Sequence, residues 1–177
     1  MRRSTSLMAL RVGVYAASLG VLTLACAQND VAGPEQAPIE ASVYSIAPGF
    51  VKCRPLGSAY AGKYVTPGRW DTLKVGPHKL IFQPNSLAYK TYITASIGSD
   101  SSRSVKFGPE GLQFKSGYAP TLQLNVGNCA TVVSTMKIVY SDDYLATVKE
   151  TKSSIVNLSL QYVSAAISHF SRYAVHY

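Results

Sequence analysis

The regular spacing of glycine and proline from Phe50 to Gly127 is the feature that most constrains the fold. These residues divide the chain into short runs rich in valine, isoleucine, threonine and tyrosine. Runs of this kind between turn residues are typical of all-β sandwiches and barrels. No stretch after Phe50 keeps a helical apolar spacing over the roughly ten positions that a helix prediction requires. We therefore predict an all-β domain, an antiparallel β-sandwich of about eight strands, over residues 50–177.

Apolar and polar residues alternate along several of these runs. Between residues 91 and 97, the apolar side chains lie two positions apart with polar ones between them. This period of two places one set on a buried face and the other in water. The same alternation occurs in residues 122–126, 136–140 and 156–162, and each is predicted to be a strand. The apolar alternation of residues 163–167 is broken at His169 and Ser171 before it resumes in residues 173–177, which predicts a bend or bulge near His169.

Residues 1–25 have the organisation of a secretory signal peptide. The segment begins with basic residues, continues with an apolar stretch and ends in the small residue Ala25. The apolar stretch is shorter than the roughly 20 residues that a membrane-spanning helix needs. Cys26 follows directly, and residues 22–26 resemble the lipobox of bacterial lipoproteins. This resemblance implies that Cys26 is acylated and becomes the N-terminus after cleavage. The alternative is ordinary secretion with a free Cys26.

The predicted lipid anchor places the protein in the bacterial cell envelope. Residues 27 and 28 lack the aspartate that favours inner-membrane retention among lipoproteins, so we expect the outer membrane. Residues 26–49 are rich in alanine, proline and polar side chains, and we predict a flexible spacer there. Three of the 17 basic residues belong to the leader, so 14 face the 9 acidic ones and the remaining excess is +5. This charge could attract anionic lipid headgroups, but the basic residues form no run and nucleic acid is not an expected partner.

Two cysteines remain once Cys26 is assigned to the lipid. An even number of cysteines in an oxidising compartment favours a disulfide, here between Cys53 and Cys129. The bond would close a loop of about 75 residues and contribute roughly 4 kcal/mol on the chain-entropy account. The alternative is a pair of buried thiols.

Three segments together resemble the ZU-five domain, a β-sandwich found in ankyrins, netrin receptors and some tight-junction and death-domain scaffolds. The first is residues 80–87 followed by the strand 91–97, and the second is residues 107–114 followed by 120–124. The third is the closing stretch, residues 169–175. The resemblance implies a non-catalytic module that binds protein partners. The whole layout, a lipobox, a spacer and one such domain, is similar to a group of bacterial envelope lipoproteins.

His169, Phe170 and Ser171 carry the sharpest chemical hypothesis. In some relatives of this module, a histidine two residues before a serine promotes attack of the serine hydroxyl on the preceding carbonyl, and the peptide is cleaved. His169 would be the base and Ser171 the nucleophile at the Phe170–Ser171 bond, and the reaction also needs a distorted peptide and donors for the oxyanion. The alternative, which we favour, is packing of these side chains at a bend, with no enzyme activity.

Aromatic residues suggest a further binding hypothesis. Tyr60, Tyr64 and Trp70 lie near basic residues, and exposed rings of this kind can stack on sugar rings. Carbohydrate binding is therefore an alternative function, against the simpler interpretation that these rings cover the core and the open edge of the sandwich. Asp142 and Asp143 are interpreted as a solvated hairpin loop, because two carboxylates fall short of the roughly six oxygens that calcium prefers. The sequence predicts no metal site and no cofactor.

Overall fold

The computed structural model describes residues 46–177, which form two antiparallel β-sheets packed face to face. The predicted antiparallel β-sandwich is confirmed. The strands are β1 (Ala59–Val65), β2 (Asp71–Val75), β3 (His78–Phe82), β4 (Thr91–Ile97), β5 (Ser104–Gly108), β6 (Thr121–Asn125), β7 (Lys137–Ser141), β8 (Val148–Thr151), β9 (Ser154–Asn157), β10 (Tyr162–Ala166) and β11 (Arg172–His176). The predicted leader, the lipid site at Cys26 and nearly all of the spacer lie outside the described residues.

The sheets have six and five strands. The six-stranded sheet has the order β1-β4-β5-β11-β7-β8, and the five-stranded sheet has the order β2-β3-β6-β10-β9. These are more strands than the eight or so predicted, because the short edge strands β8 and β9 do not stand out in the sequence. Every residue of β8 is exposed, so that strand has no apolar alternation to reveal it. Within residues 46–177, no helix is long and apolar enough to cross a membrane.

The core lies between the inner faces of the two sheets. Leu80, Leu122 and Ala165 are neighbours across β3, β6 and β10, and all three are buried. From the other sheet, Ile93 and Ile138 are fully buried against them in the same cluster. The alternation predicted for residues 91–97, 122–126 and 136–140 is thereby confirmed. Each buried leucine or isoleucine stabilises the sandwich by about 1.5–3 kcal/mol.

The predicted bend near His169 is the place where the chain changes sheets. β10 belongs to the five-stranded sheet and β11 to the six-stranded one, with residues 167–171 crossing between them. Phe170, fully buried, fills the space at the crossing and stacks on Phe107 with ring centroids 5.4 Å apart. The alternation of buried side chains at odd-numbered positions is interrupted here, because the buried ring at the crossing belongs to Phe170.

The prediction of one strand over residues 156–162 is wrong. β9 ends at Asn157 and β10 begins at Tyr162, with a turn between them in which Gln161 has φ +52°. The Asn157 side chain accepts a hydrogen bond from the Leu160 backbone N–H at 2.7 Å, which holds the turn. Leu158 and Leu160 are exposed rather than buried. Alternation of period two also occurs by chance across a turn, and here the asparagine decides the local structure.

A second, smaller apolar cluster covers part of the outer face of the six-stranded sheet. It consists of Phe50, Val139, Leu145 and Ala174, with Ile46 and Ala47 packed against them. Val139 and Ala174 are paired across β7 and β11, so this cover lies over the middle of the sheet. The outer face at β1 and β4 carries exposed side chains instead.

Candidate functional site

Three tyrosines form an exposed surface on the outer face of β1 and β4. Tyr60 and Tyr64 alternate with inward side chains along β1, and Tyr92 is paired with Tyr64 across the strands. The exposed fractions are 67% for Tyr60, 59% for Tyr64 and 46% for Tyr92. We call these three residues the tyrosine face. Large aromatic side chains seldom remain this exposed together unless they serve as a contact surface.

Gly62 lies beneath the side chains of the tyrosine face. It lies between Tyr60 and Tyr64 on β1, and the Tyr92 side chain leans across it, so that a Cβ at residue 62 would overlap the Tyr92 hydroxyl. A glycine in a strand often marks such a close approach. Partial desolvation, and then the neighbouring Tyr92, raise the pKa of Tyr60. The Tyr60 and Tyr92 side chains therefore converge over Gly62.

The rings of the tyrosine face are inclined to one another. Tyr64 and Tyr92 have centroids 5.0 Å apart and planes at 60°, an edge-on arrangement. The Lys90 ammonium lies 4.9 Å from the Tyr64 centroid, at cation–π distance. Inclined rings of this kind do not form a flat platform.

Trp70 is also exposed, by 68%, but it stands apart from the tyrosines. It lies between β1 and β2, and no ring contact found in residues 46–177 joins it to Tyr60 or Tyr64. Of the three aromatic residues that the sequence singled out, the structure therefore brings two together. The third ring of this surface is that of Tyr92. The sequence indicated its exposure only by placing an aromatic residue at a polar position of an alternating strand.

The tyrosine face lies at a free edge of the sheet. β1 is the last strand of the six-stranded order, and in the described part of the chain no strand pairs with its other side. Lys63 points to the opposite face of β1 from the tyrosines and forms an ion pair with Asp71 at the start of β2. That pair links the two sheets at the edge and leaves the backbone of β1 available. Unpaired edge groups can accept a strand from another chain.

The predicted cleavage residues His169 and Ser171 line one cavity of about 260 Å³. The Phe170 carbonyl oxygen, on the bond that would break, accepts a hydrogen bond from the Gly111 backbone N–H at 3.0 Å. The Nδ1 atom of His169 lies 3.5 Å from the same oxygen. The Tyr173 hydroxyl donates to the His169 carbonyl at 2.8 Å and fixes the backbone there. None of the positive φ angles of the described residues falls at 169–171.

The remaining sequence predictions concern the cysteines and the aspartates. Cys53 and Cys129 form the predicted disulfide, with a sequence separation of 76. Asp142 accepts hydrogen bonds from two backbone N–H groups of its own loop, and Asp143 pairs with Lys106 at 2.5 Å. Burial alone would raise the pKa of Asp142, but these backbone donors lower it. Among residues 46–177 no group of three His, Cys, Asp or Glu side chains is placed to hold a metal ion.

Comparison with known proteins gives no relative. No protein-family model matches the chain, and neither the curated proteins nor the solved structures contain a significant match. The ZU-five-like character of the domain therefore stays a prediction from the sequence.

Proposed function

We propose that this protein is a lipid-anchored module of the bacterial cell envelope that binds a protein partner without catalysis. Cys26 carries the lipid, and residues 26–49 link it to the sandwich. The observation that carries the proposal is the tyrosine face, an exposed aromatic cluster beside a free edge strand. ZU-five-like architecture, in which sandwiches serve as interaction modules, is consistent with this function.

Physical chemistry favours a protein as the occupant of this surface. Tyrosine combines a large apolar ring with a hydroxyl that can hydrogen-bond, and it is enriched at the energetic centres of protein interfaces. The β1 edge adds unpaired backbone groups along Ala59–Val65, directly beside Tyr60 and Tyr64. A partner strand added there would gain backbone hydrogen bonds and place its side chains between the rings.

A glycan is the alternative occupant. The exposure of Tyr60 and Tyr64 meets the first requirement for stacking on sugars. The 60° angle between Tyr64 and Tyr92, and the separate position of Trp70, argue against a flat aromatic platform for a sugar face. The structure therefore favours the protein partner.

Site-specific photo-cross-linking in intact cells tests this proposal. A photoreactive residue at position 60 should give one discrete protein adduct, because that position faces outward beside the free edge. Position 144 is the matched control, since Tyr144 is also exposed but lies in the β7–β8 loop at the other edge of the same sheet. Equal adducts from positions 60 and 144, or none from position 60, would contradict the proposal.

Self-cleavage at the Phe170–Ser171 bond is a second candidate function, favoured by one specific observation. The Gly111 N–H already donates to the carbonyl oxygen that would become the oxyanion, and His169 lies beside it. Opposing it, Phe170 is fixed in an aromatic cluster, and none of the positive φ angles of the described residues falls at residues 169–171.

Intact-mass measurement of the purified protein shows whether the Phe170–Ser171 bond is cleaved. If the bond is stable, a single uncleaved species remains after days at neutral pH, which is the result we expect. Cleavage would release residues 171–177 and shorten the main species. Loss of that shorter species in Ser171→Ala would then assign the nucleophile and establish the second candidate.

A further inference from the structure

One end of the sandwich, here called the basic end, concentrates positive charge. The β2–β3 turn, the β9–β10 turn and the loop after β6 meet there, because Lys79 is paired with Gln123 and Tyr162 with Asn125. The disulfide joins the chain before β1 to the same loop. Four exposed basic residues belong to this end: Lys52, Arg54, Lys74 and Lys79.

Acidic side chains are almost missing from the basic end. The acidic residues of the described chain are Asp71, Asp100, Glu110, Asp142, Asp143 and Glu150. Strand directions place all of them except Asp100 in the other half of the sandwich. Asp100 is already engaged, since it pairs with Arg172 at 3.3 Å and accepts hydrogen bonds from Ser102. The positive charge at this end is therefore mostly uncompensated.

A cavity of about 460 Å³ opens at the basic end beside the disulfide, and Lys52, Arg54 and Asn128 are among its lining residues. Behind it lies Arg103, which is only 2% exposed. The Arg103 guanidinium donates to the Asn128 side-chain oxygen and to the Arg54 carbonyl, both neutral acceptors. Its Nε has no hydrogen-bond partner among the described residues. The cavity is thus lined by two cations and backed by a third, a geometry that suits a phosphate group.

Two exposed leucines lie in the turn next to this cavity. Leu158 is 54% and Leu160 65% exposed, both in the β9–β10 turn. That turn adjoins the cavity, because the Val126 N–H donates to the Gln161 carbonyl at 2.8 Å and the next residue, Gly127, lines the cavity. Positive charge beside exposed leucines is the combination that binds the headgroups and the apolar boundary of an anionic membrane.

We propose that the basic end docks on an anionic phospholipid surface, with a headgroup phosphate in the cavity between Lys52 and Arg54. Leu158 and Leu160 enter the boundary between headgroups and acyl chains. The leucines favour a lipid over a nucleic acid, whose phosphates would gain nothing from them. This surface shares no residue with the tyrosine face, so an experiment can contradict either proposal without affecting the other.

Vesicle co-sedimentation tests the proposal. Residues 26–177 carrying Cys26→Ser are used, so that no covalent lipid contributes to binding. We expect binding to vesicles of phosphatidylcholine and phosphatidylglycerol in a two-to-one ratio, and far weaker binding to phosphatidylcholine alone. Binding should fall as salt rises from about 0.1 M to about 1 M, where the Debye length shrinks from about 10 Å to about 3 Å.

Paired variants locate the surface. Lys52→Gln with Arg54→Gln should weaken binding roughly thirtyfold, because each basic residue near an anionic membrane contributes about fivefold. Leu158→Ser with Leu160→Ser should also weaken binding without changing the unfolding temperature. The control pair is Lys115→Gln with Lys149→Gln, which removes the same charge from the other half of the sandwich. Equal losses in both charge pairs, equal binding to both vesicle types, or no binding to the anionic vesicles would overturn the proposal.

Discussion

Replacement of both Cys53 and Cys129 by serine is expected to lower the free energy of unfolding by about 4 kcal/mol. The bond closes a loop with a sequence separation of 76, so its loss releases a large entropy in the unfolded chain. In the native state it holds the segment before β1 against the loop after β6. Hydrogen bonds join the same two segments, from the Arg54 N–H to the Asn128 carbonyl at 3.3 Å and from the Asn128 side-chain amide to the Arg54 carbonyl at 3.1 Å.

Denaturant unfolding of the oxidised protein and the double variant measures this effect, with Cys26 replaced by serine in both. Reduction of the oxidised protein should reproduce the loss, because it removes the same constraint without changing the side-chain positions. A difference below about 1 kcal/mol would show that the loop is already restricted in the unfolded state.

Acid is expected to destabilise the domain through His78, by roughly 3 kcal/mol between pH 7 and pH 4. The imidazole is buried, with Nδ1 accepting the Asn125 backbone N–H at 3.0 Å and Nε2 without a partner among the described residues. Burial, and then the nearby Arg103 charge, lower the pKa of His78 to about 3. The unfolded chain, with a pKa near 6.5, binds this proton more readily. Stability is therefore full above about pH 6.5 and falls as the pH drops toward 3.

Urea unfolding at a series of pH values measures the slope, and His78→Gln provides the comparison. The glutamine oxygen can still accept the Asn125 N–H but does not titrate, so the variant should be nearly flat between pH 6.5 and 4. The carboxylates of Asp71 and Asp142, whose pKa values are lowered, lose their contribution only below their ordinary pKa of 3.8. The same slope in both proteins would show that His78 does not cause the acid sensitivity.

Those parts of the fold that depend on burial were predictable from the sequence. The strand over Thr91–Ile97, the bend near His169 and the sandwich class follow from the period of the apolar residues. The strand β8 was not predictable because none of its side chains is buried. The turn at Leu158 and Leu160 was missed because their spacing imitates a strand, while the asparagine that holds the turn acts through one hydrogen bond.

The tyrosine face was only partly predictable for a different reason. Tyr60 and Tyr64 are two positions apart on one strand, so their shared face follows from alternation. Tyr92 joins them through the pairing of β1 with β4, and no local pattern specifies that register. Residue 62 must be small because the Tyr92 side chain lies across it, and that contact forms only in the folded packing. The tyrosine face is therefore formed by the long-range pairing of β1 with β4, which composition does not reveal.

The affinity of the cross-linked partner for tyrosine variants tests the proposed function most directly. Tyr64→Ala and Tyr92→Ala should each weaken binding by at least about tenfold, as expected for rings at the centre of an interface. Tyr144→Ala should bind like the unaltered protein, because it removes an exposed tyrosine from the far edge of the same sheet. Unchanged affinity in both tyrosine-face variants, or an equal loss in Tyr144→Ala, would contradict the assignment of this surface as the binding site.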